Sequence, residues 1–332
     1  MAGLRYGQYL SQYDVRSVAT GGNQSKYLLV GENDQATSRR LRLAYHEYPN
    51  TCVPTAPRSC SREYLAWVKK MSRRGHAVTI TVYMNNYLFY GDTDPQAGEA
   101  DYDHIVSVLS VESAHDDDEY HATDILTLGD HGLWSPGTPP VPQYNFTYSF
   151  REFQASRAQA NAKDGNVYYT ADRYKDGNFG IAHTGPLVEA QNASREEHLL
   201  PVRVETSVPW ERPPIADGSQ ARPAPMPLTL TVTVTGLSPG ADYSLFMFDD
   251  VETAPTHDFA TAGLARAAKT WRFRGGESGA YVVKMDTVSS AQAVFRAVRS
   301  EVPRKTDDTT TYEITGQIGC NDDTLSQVPS SP

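Results

Sequence analysis

Asp101-Tyr102-Asp103-His104-Ile105-Val106-Ser107-Val108-Leu109 is the stretch on which the fold reading turns. It follows a segment rich in Gly, Pro and Asp and sets an imidazole at the head of an apolar, β-branched run. Such a run between turn residues predicts a strand. A histidine at its head sits where sheet core meets solvent. That position suits a general base, and it equally suits a structural, hydrogen-bonded histidine.

Working outward, the residues before this strand alternate in period. Ser61 to Arg74 predicts a helix with Tyr64, Leu65, Val68 and Met71 on its apolar face and Gly75 ending it. Val78, Ile80 and Val82 then alternate with Thr79 and Thr81, which predicts a strand. A further strand, Asp124 to Leu128, runs into Gly129-Asp130-His131-Gly132-Leu133-Trp134, and Gly177 to Ala182 reads as a last strand. Nearer the start, Tyr6, Leu10 and Tyr13 keep helical spacing, and Asn33-Asp34 caps a second helix predicted through Leu41 and Tyr45. Helices first and an antiparallel sheet afterwards make an α+β domain, assigned to residues 1–208. Residues 209–227, dense in proline, predict a linker. Leu228, Leu230, Val232 and Val234 alternate with threonines and open a series of short strands, including Thr270–Arg274, Ala280–Lys284 and Ala293–Arg299. This predicts an all-β sandwich over residues 228–320, with 321–332 a disordered tail.

Composition narrows the function classes. The 332 residues carry a formal net charge of −10, which argues against nucleic-acid binding. No apolar run is long enough to span a bilayer. Met1 to Tyr6 is too polar for a signal peptide core, so the expectation is a cytoplasmic protein, or an extracellular one whose start lies upstream. Cys52 and Cys60 flank a loop with Pro54 and Pro57; they bridge in an oxidising compartment and are free thiols in a reducing one. Glycosylation sequons begin at Asn23, Asn145 and Asn192 and weigh little, because such tripeptides arise by chance.

His104 and Asp130 each lie at the end of a predicted strand, so neighbouring strands can bring them together. A carboxylate accepting the Nδ1 proton would leave Nε2 as base. The alternative is a half-buried histidine and an aspartate that forms a turn before Gly132. The run His115-Asp116-Asp117-Asp118-Glu119-Tyr120-His121 has metal-ligand types but neither helical histidine spacing nor an EF-hand pattern. It reads as a solvated loop, and no metal or cofactor is expected. Tyr83, Tyr87, Phe89 and Tyr90 line a substrate groove or simply pack a sheet.

Gly75-His76-Ala77-Val78-Thr79-Ile80, Tyr102-Asp103-His104-Ile105-Val106-Ser107-Val108 and Leu128-Gly129-Asp130-His131-Gly132-Leu133-Trp134 together resemble the papain-like cysteine peptidases, in the branch of the bacteriocin-processing, double-glycine peptidases. The resemblance covers residues 1 to about 140. It implies that His104 is the base, that Asp130 orients it, and that a peptide or protein substrate occupies a cleft. It also implies a cysteine at the start of the first core helix. Here Leu4 to Tyr13 looks like the body of that helix without its beginning, and it holds no cysteine. Either the chain starts late or the nucleophile is lost. Cys60, directly before a helix, is the remaining nucleophile candidate. Little or no hydrolysis is expected of the chain as written. Val234-Thr235-Gly236-Leu237-Ser238-Pro239-Gly240-Ala241-Asp242-Tyr243 resembles fibronectin type III modules, which implies an accessory module contacting a cell surface or glycan. The rival expectation is a two-domain protein that binds peptide or a surface without catalysis.

Overall fold

A computed structural model describes residues 2–11, 14–15, 34–49, 51–53, 55–56, 58–85, 104–130, 145–154, 160, 162–170, 178–189, 199–207 and 225–300. The chain opens with helix α1 (Ala2–Arg5) and strand β1 (Gln8–Tyr9). Helix α2 (Asp34–Arg40) leads into β2 (Leu43–Glu47). Helix α3 (Ser59–Arg73) precedes β3 (Ala77–Met84), β4 (His104–Glu112), β5 (Ile125–Gly129) and β6 (Asn145–Ser149). The single-turn helix α4 (Phe150–Phe153) and strands β7 (Tyr168–Tyr169) and β8 (Gly180–Pro186) follow. Then come β9 (Leu199–Leu200), β10 (Val202–Thr206), β11 (Pro227–Thr235) and β12 (Asp242–Phe248). Helix α5 (Phe259–Arg266) precedes β13 (Lys269–Arg274), β14 (Ala280–Val288) and β15 (Ala293–Ser300). The fold class is mixed helix and sheet, with mostly antiparallel strands. No helix among the described residues is long and apolar enough to cross a membrane.

Two compact units divide the chain: Lys26–Gln35 with Tyr45–Thr184, and Met1–Ser25 with Ala36–Ala44 and Gly185–Pro332. The division therefore differs from the expected cut at 208, because the first residues group with the last.

The unit that contains α3 is built on a sheet of order β2-β8-β3-β4-β5-β6, with β7 also paired to β3. Tyr64, Leu65 and Val68 of α3 are fully buried in a cluster with Ile80, Val82, Leu126 and Leu128 of the strands. Each such side chain contributes about 1.5–3 kcal/mol on burial. Gly75, at φ 78°, turns the chain out of the helix. Gly180 lets sheet and helix approach, since a Cβ there would lie 2.7 Å from the Trp67 ring. Lys69, on the same helix, is fully buried and pairs with the equally buried Asp124 at 3.0 Å.

The other unit packs the sheet β10-β11-β14 against β1-β15-β12-β13, to which β9 adds through β15. Leu230, Val232 and Val234 from one sheet meet Leu245, Phe295 and Ala297 from the other in one core. The predicted alternation of β11 holds: its four aliphatic residues are buried, with threonines between them. The sandwich is not all-β, because α5 intervenes between β12 and β13. Its Gly263 lies so near Phe246 that a Cβ would fall 2.4 Å from the ring.

Two helix expectations are corrected. Tyr6 and Leu10 do not share a helix: α1 stops at Arg5, Gly7 adopts φ 70°, and Gln8 and Tyr9 pair with Val294 and Ala293; Tyr13 lies outside the described residues. The second helix ends at Arg40, because Arg42 takes φ 56° and redirects the chain, so Tyr45 is a strand residue. Of the expected linker 209–227, residues 209–224 lie outside the described residues and Pro227 already belongs to β11; residues 301–332 also lie outside them.

Candidate functional site

Strand register brings His104 and Asp130 together. His104 opens β4, opposite Val82 of β3. Asp130 directly follows β5, whose Gly129 lies opposite Ser107 of β4. One further step of that antiparallel register sets Asp130 beside Val106, and His104, two residues from Val106, projects to the same face. His104 Nε2 lies 3.1 Å from Asp130 Oδ2. The side chains are 9% and 1% exposed, so water competes little for this bond.

An ionised carboxylate only accepts, so Nε2 carries the proton and the lone pair of the neutral ring is on Nδ1. This corrects the expected polarity, in which Nδ1 faced the aspartate. The geometry can still perform general-base chemistry: Asp130 fixes the tautomer and would stabilise an imidazolium.

A third side chain completes the cluster. The Tyr168 hydroxyl donates to the same Asp130 Oδ2. Tyr168 reaches it because β7 pairs with β3 at Met84, beyond the Val82–His104 pair. Its ring stacks on His104, with centroids 5.9 Å apart, and takes the edge of Phe146 at 4.9 Å. Burial, and then the Asp130 hydrogen bond and charge, hold the Tyr168 phenol well above its ordinary range, so it stays a neutral donor. Tyr148 Oη accepts from the backbone N–H groups of Val167 and Tyr168, both at 3.2 Å, and so fixes β7. Burial pushes the Tyr148 phenol up to about 12.

The chain matches no family model, no curated protein and no solved structure. What the site can do rests on its own geometry.

Cys60 is corrected as a nucleophile candidate. Its sulfur is bonded to Cys52, with Cα atoms 5.4 Å apart, and it is 3% exposed. A sulfur in a disulfide has no thiolate to attack with. Tyr83 is buried with Ala160 and Tyr169 rather than lining a groove. Tyr87, Phe89, Tyr90, His131 to Trp134 and the third cysteine of the sequence, Cys320, lie outside the described residues. Tyr168 was not signalled by any motif; only the pairing of a two-residue strand places it.

The loop read as solvated and metal-free does bring its imidazoles together. Ligand atoms of His115, Asp117 and His121 all lie within 4.8 Å of one another. His121 Nε2 sits 2.8 and 3.0 Å from the two Asp117 oxygens. The hydrogen bond to His121 is the main reason the Asp117 carboxyl is held down at about 2.

Proposed function

We propose that the unit holding His104 is a papain-like cysteine-peptidase scaffold that engages extended peptide beside His104. The observation that carries this is the 3.1 Å pair of His104 Nε2 and Asp130 Oδ2 on adjacent strands. In this role His104 Nδ1 takes the proton of an attacking thiol and later gives it to the leaving amine, while Asp130 stabilises the imidazolium between these steps. Tyr168 positions Asp130. The attacking sulfur is neither Cys52 nor Cys60, since these are bonded to each other. With Cys320 in the polar tail of the sequence, hydrolysis by the chain as written is expected to be slight, and that bond favours a second reading, peptide binding without cleavage. The disulfide suits an oxidising compartment, so an extracellular setting goes with this proposal. The two-sheet unit is, in the same proposal, a fibronectin type III-like module for surface or glycan contact.

A mixture of unstructured peptides tests both readings, with retention and cleavage read by mass spectrometry. Peptides retained by the wild type and lost by His104→Ala and Asp130→Ala, with little cleavage, are the expected result. Cleavage abolished by iodoacetamide and by His104→Ala would establish a thiol enzyme over the binding reading. Retention and cleavage indifferent to both substitutions would sink the proposal.

A further inference from the structure

We propose that the loop between β4 and β5 is a binding site for a borderline divalent transition cation, zinc foremost, held by His115, Asp117 and His121. This site is independent of the His104–Asp130 pair: His104 opens β4, whereas the loop leaves its other end after Glu112.

The geometry carries the inference. The two imidazole rings lie close together, with centroids 3.6 Å apart and an interplanar angle of 13°; they must tilt from this stack for their in-plane lone pairs to meet on one cation. Zinc bonds of about 2.0–2.2 Å in tetrahedral array put neighbouring ligand atoms roughly 3.3 Å apart. The Asp117 and His121 atoms already stand at 2.8 and 3.0 Å. The full set lies within 4.8 Å, so closing on a cation shortens the widest separation by about 1.5 Å, together with a tilt of the rings. When His121 Nε2 takes the cation, the proton of the neutral ring moves to Nδ1.

The backbone is held in place before any cation arrives. Ser113 Oγ accepts from His115 N, and Asp117 Oδ1 accepts from Glu119 N, both at 3.0 Å. Asp124 N donates to the His121 carbonyl at 3.0 Å, and Arg73 Nη1 donates to the Asp117 carbonyl. Little backbone ordering entropy is left to lose on binding.

Donor type selects the cation. Two imidazoles with one carboxylate suit zinc, cobalt or nickel, while calcium and magnesium want oxygen donors throughout. Lys69 Nζ competes for Asp117 Oδ1 at 3.4 Å, but its charge is met by Asp124 at 3.0 Å, and Oδ2 faces His121. Asp116, Asp118 and Glu119 add negative charge in the same loop.

Calorimetric titration of the full, untagged chain with zinc chloride tests this. One zinc per chain is expected. His115→Ala, His121→Ala and Asp117→Asn should each weaken binding about tenfold or more, comparable with or beyond the loss of outer-shell partners in known sites. His46→Ala, at an exposed histidine elsewhere, should leave it unchanged. Cobalt substitution reports the coordination through its visible spectrum. Wild-type affinity in His115→Ala or His121→Ala, or no uptake by the wild type at millimolar zinc, overturns the proposal. Should a variant fail to fold, imidazole resonances of the wild type decide: zinc must shift those of His115 and His121, and their indifference overturns it.

Discussion

Tyr168→Phe deletes a single oxygen from the surroundings of Asp130. The ring is fully buried and is kept by phenylalanine, so apolar packing changes little. What is lost is a hydrogen bond to a buried carboxylate that is itself 1% exposed. Hydrogen bonds to charged groups are worth about 1.5–3 kcal/mol, and Asp130 Oδ2, which keeps His104, gains no water in place of the phenol. With a urea slope of roughly 2 kcal/mol per molar, the unfolding midpoint should fall by about 1 M. Urea denaturation followed by circular dichroism measures this. The same substitution in a chain already carrying Asp130→Ala should cost under about 0.5 kcal/mol, because the acceptor is gone. Equal losses in both backgrounds, or a loss under about 0.5 kcal/mol in the wild type, would show that the phenol does not hold Asp130.

Two further outcomes follow from buried charges. Lys69→Met should destabilise by about 3–5 kcal/mol in denaturant titration, because Asp124 is left buried without its partner; pairing it with Asp124→Leu should recover most of the loss. Burial pushes His183 from 6.5 down to about 4, so the unfolded chain binds its proton first. Stability is then full above pH 6.5 and falls as pH drops from 6.5 to about 4, by an amount on the order of 3 kcal/mol. His183→Asn should flatten that part of a melting-versus-pH profile, and an unchanged profile would refute the assignment.

The parts of the fold that could be read from residues are those where local pattern and tertiary packing agree. Tyr64, Leu65, Val68 and Met71 mark the buried face of α3, and Val78, Ile80 and Val82 mark β3. His104 and Asp130 could be paired because each stands at a strand end and strand order follows chain order there. Where long-range pairing decides, local pattern misleads. Tyr6 and Leu10 mimic a helix stripe, yet Gln8 and Tyr9 take partners about 285 residues away. Tyr168 enters the site by the same kind of remote pairing, through two residues of β7. Cys52 and Cys60 were ambiguous because spacing alone does not decide between thiols and a bond. The loop imidazoles carried the right chemistry, but their convergence depends on a turn that no regular period describes.

The pairing of β1 with β15 also has a consequence for biosynthesis. Gln8 and Tyr9 leave the ribosome about 285 residues ahead of their partners Val294 and Ala293. At about 5–20 residues per second, Gln8 and Tyr9 wait some 15–60 s for that partner. The α3 unit, encoded between them, can fold during the delay. The β1 segment is thus an unpaired strand edge on the nascent chain until β15 has been made.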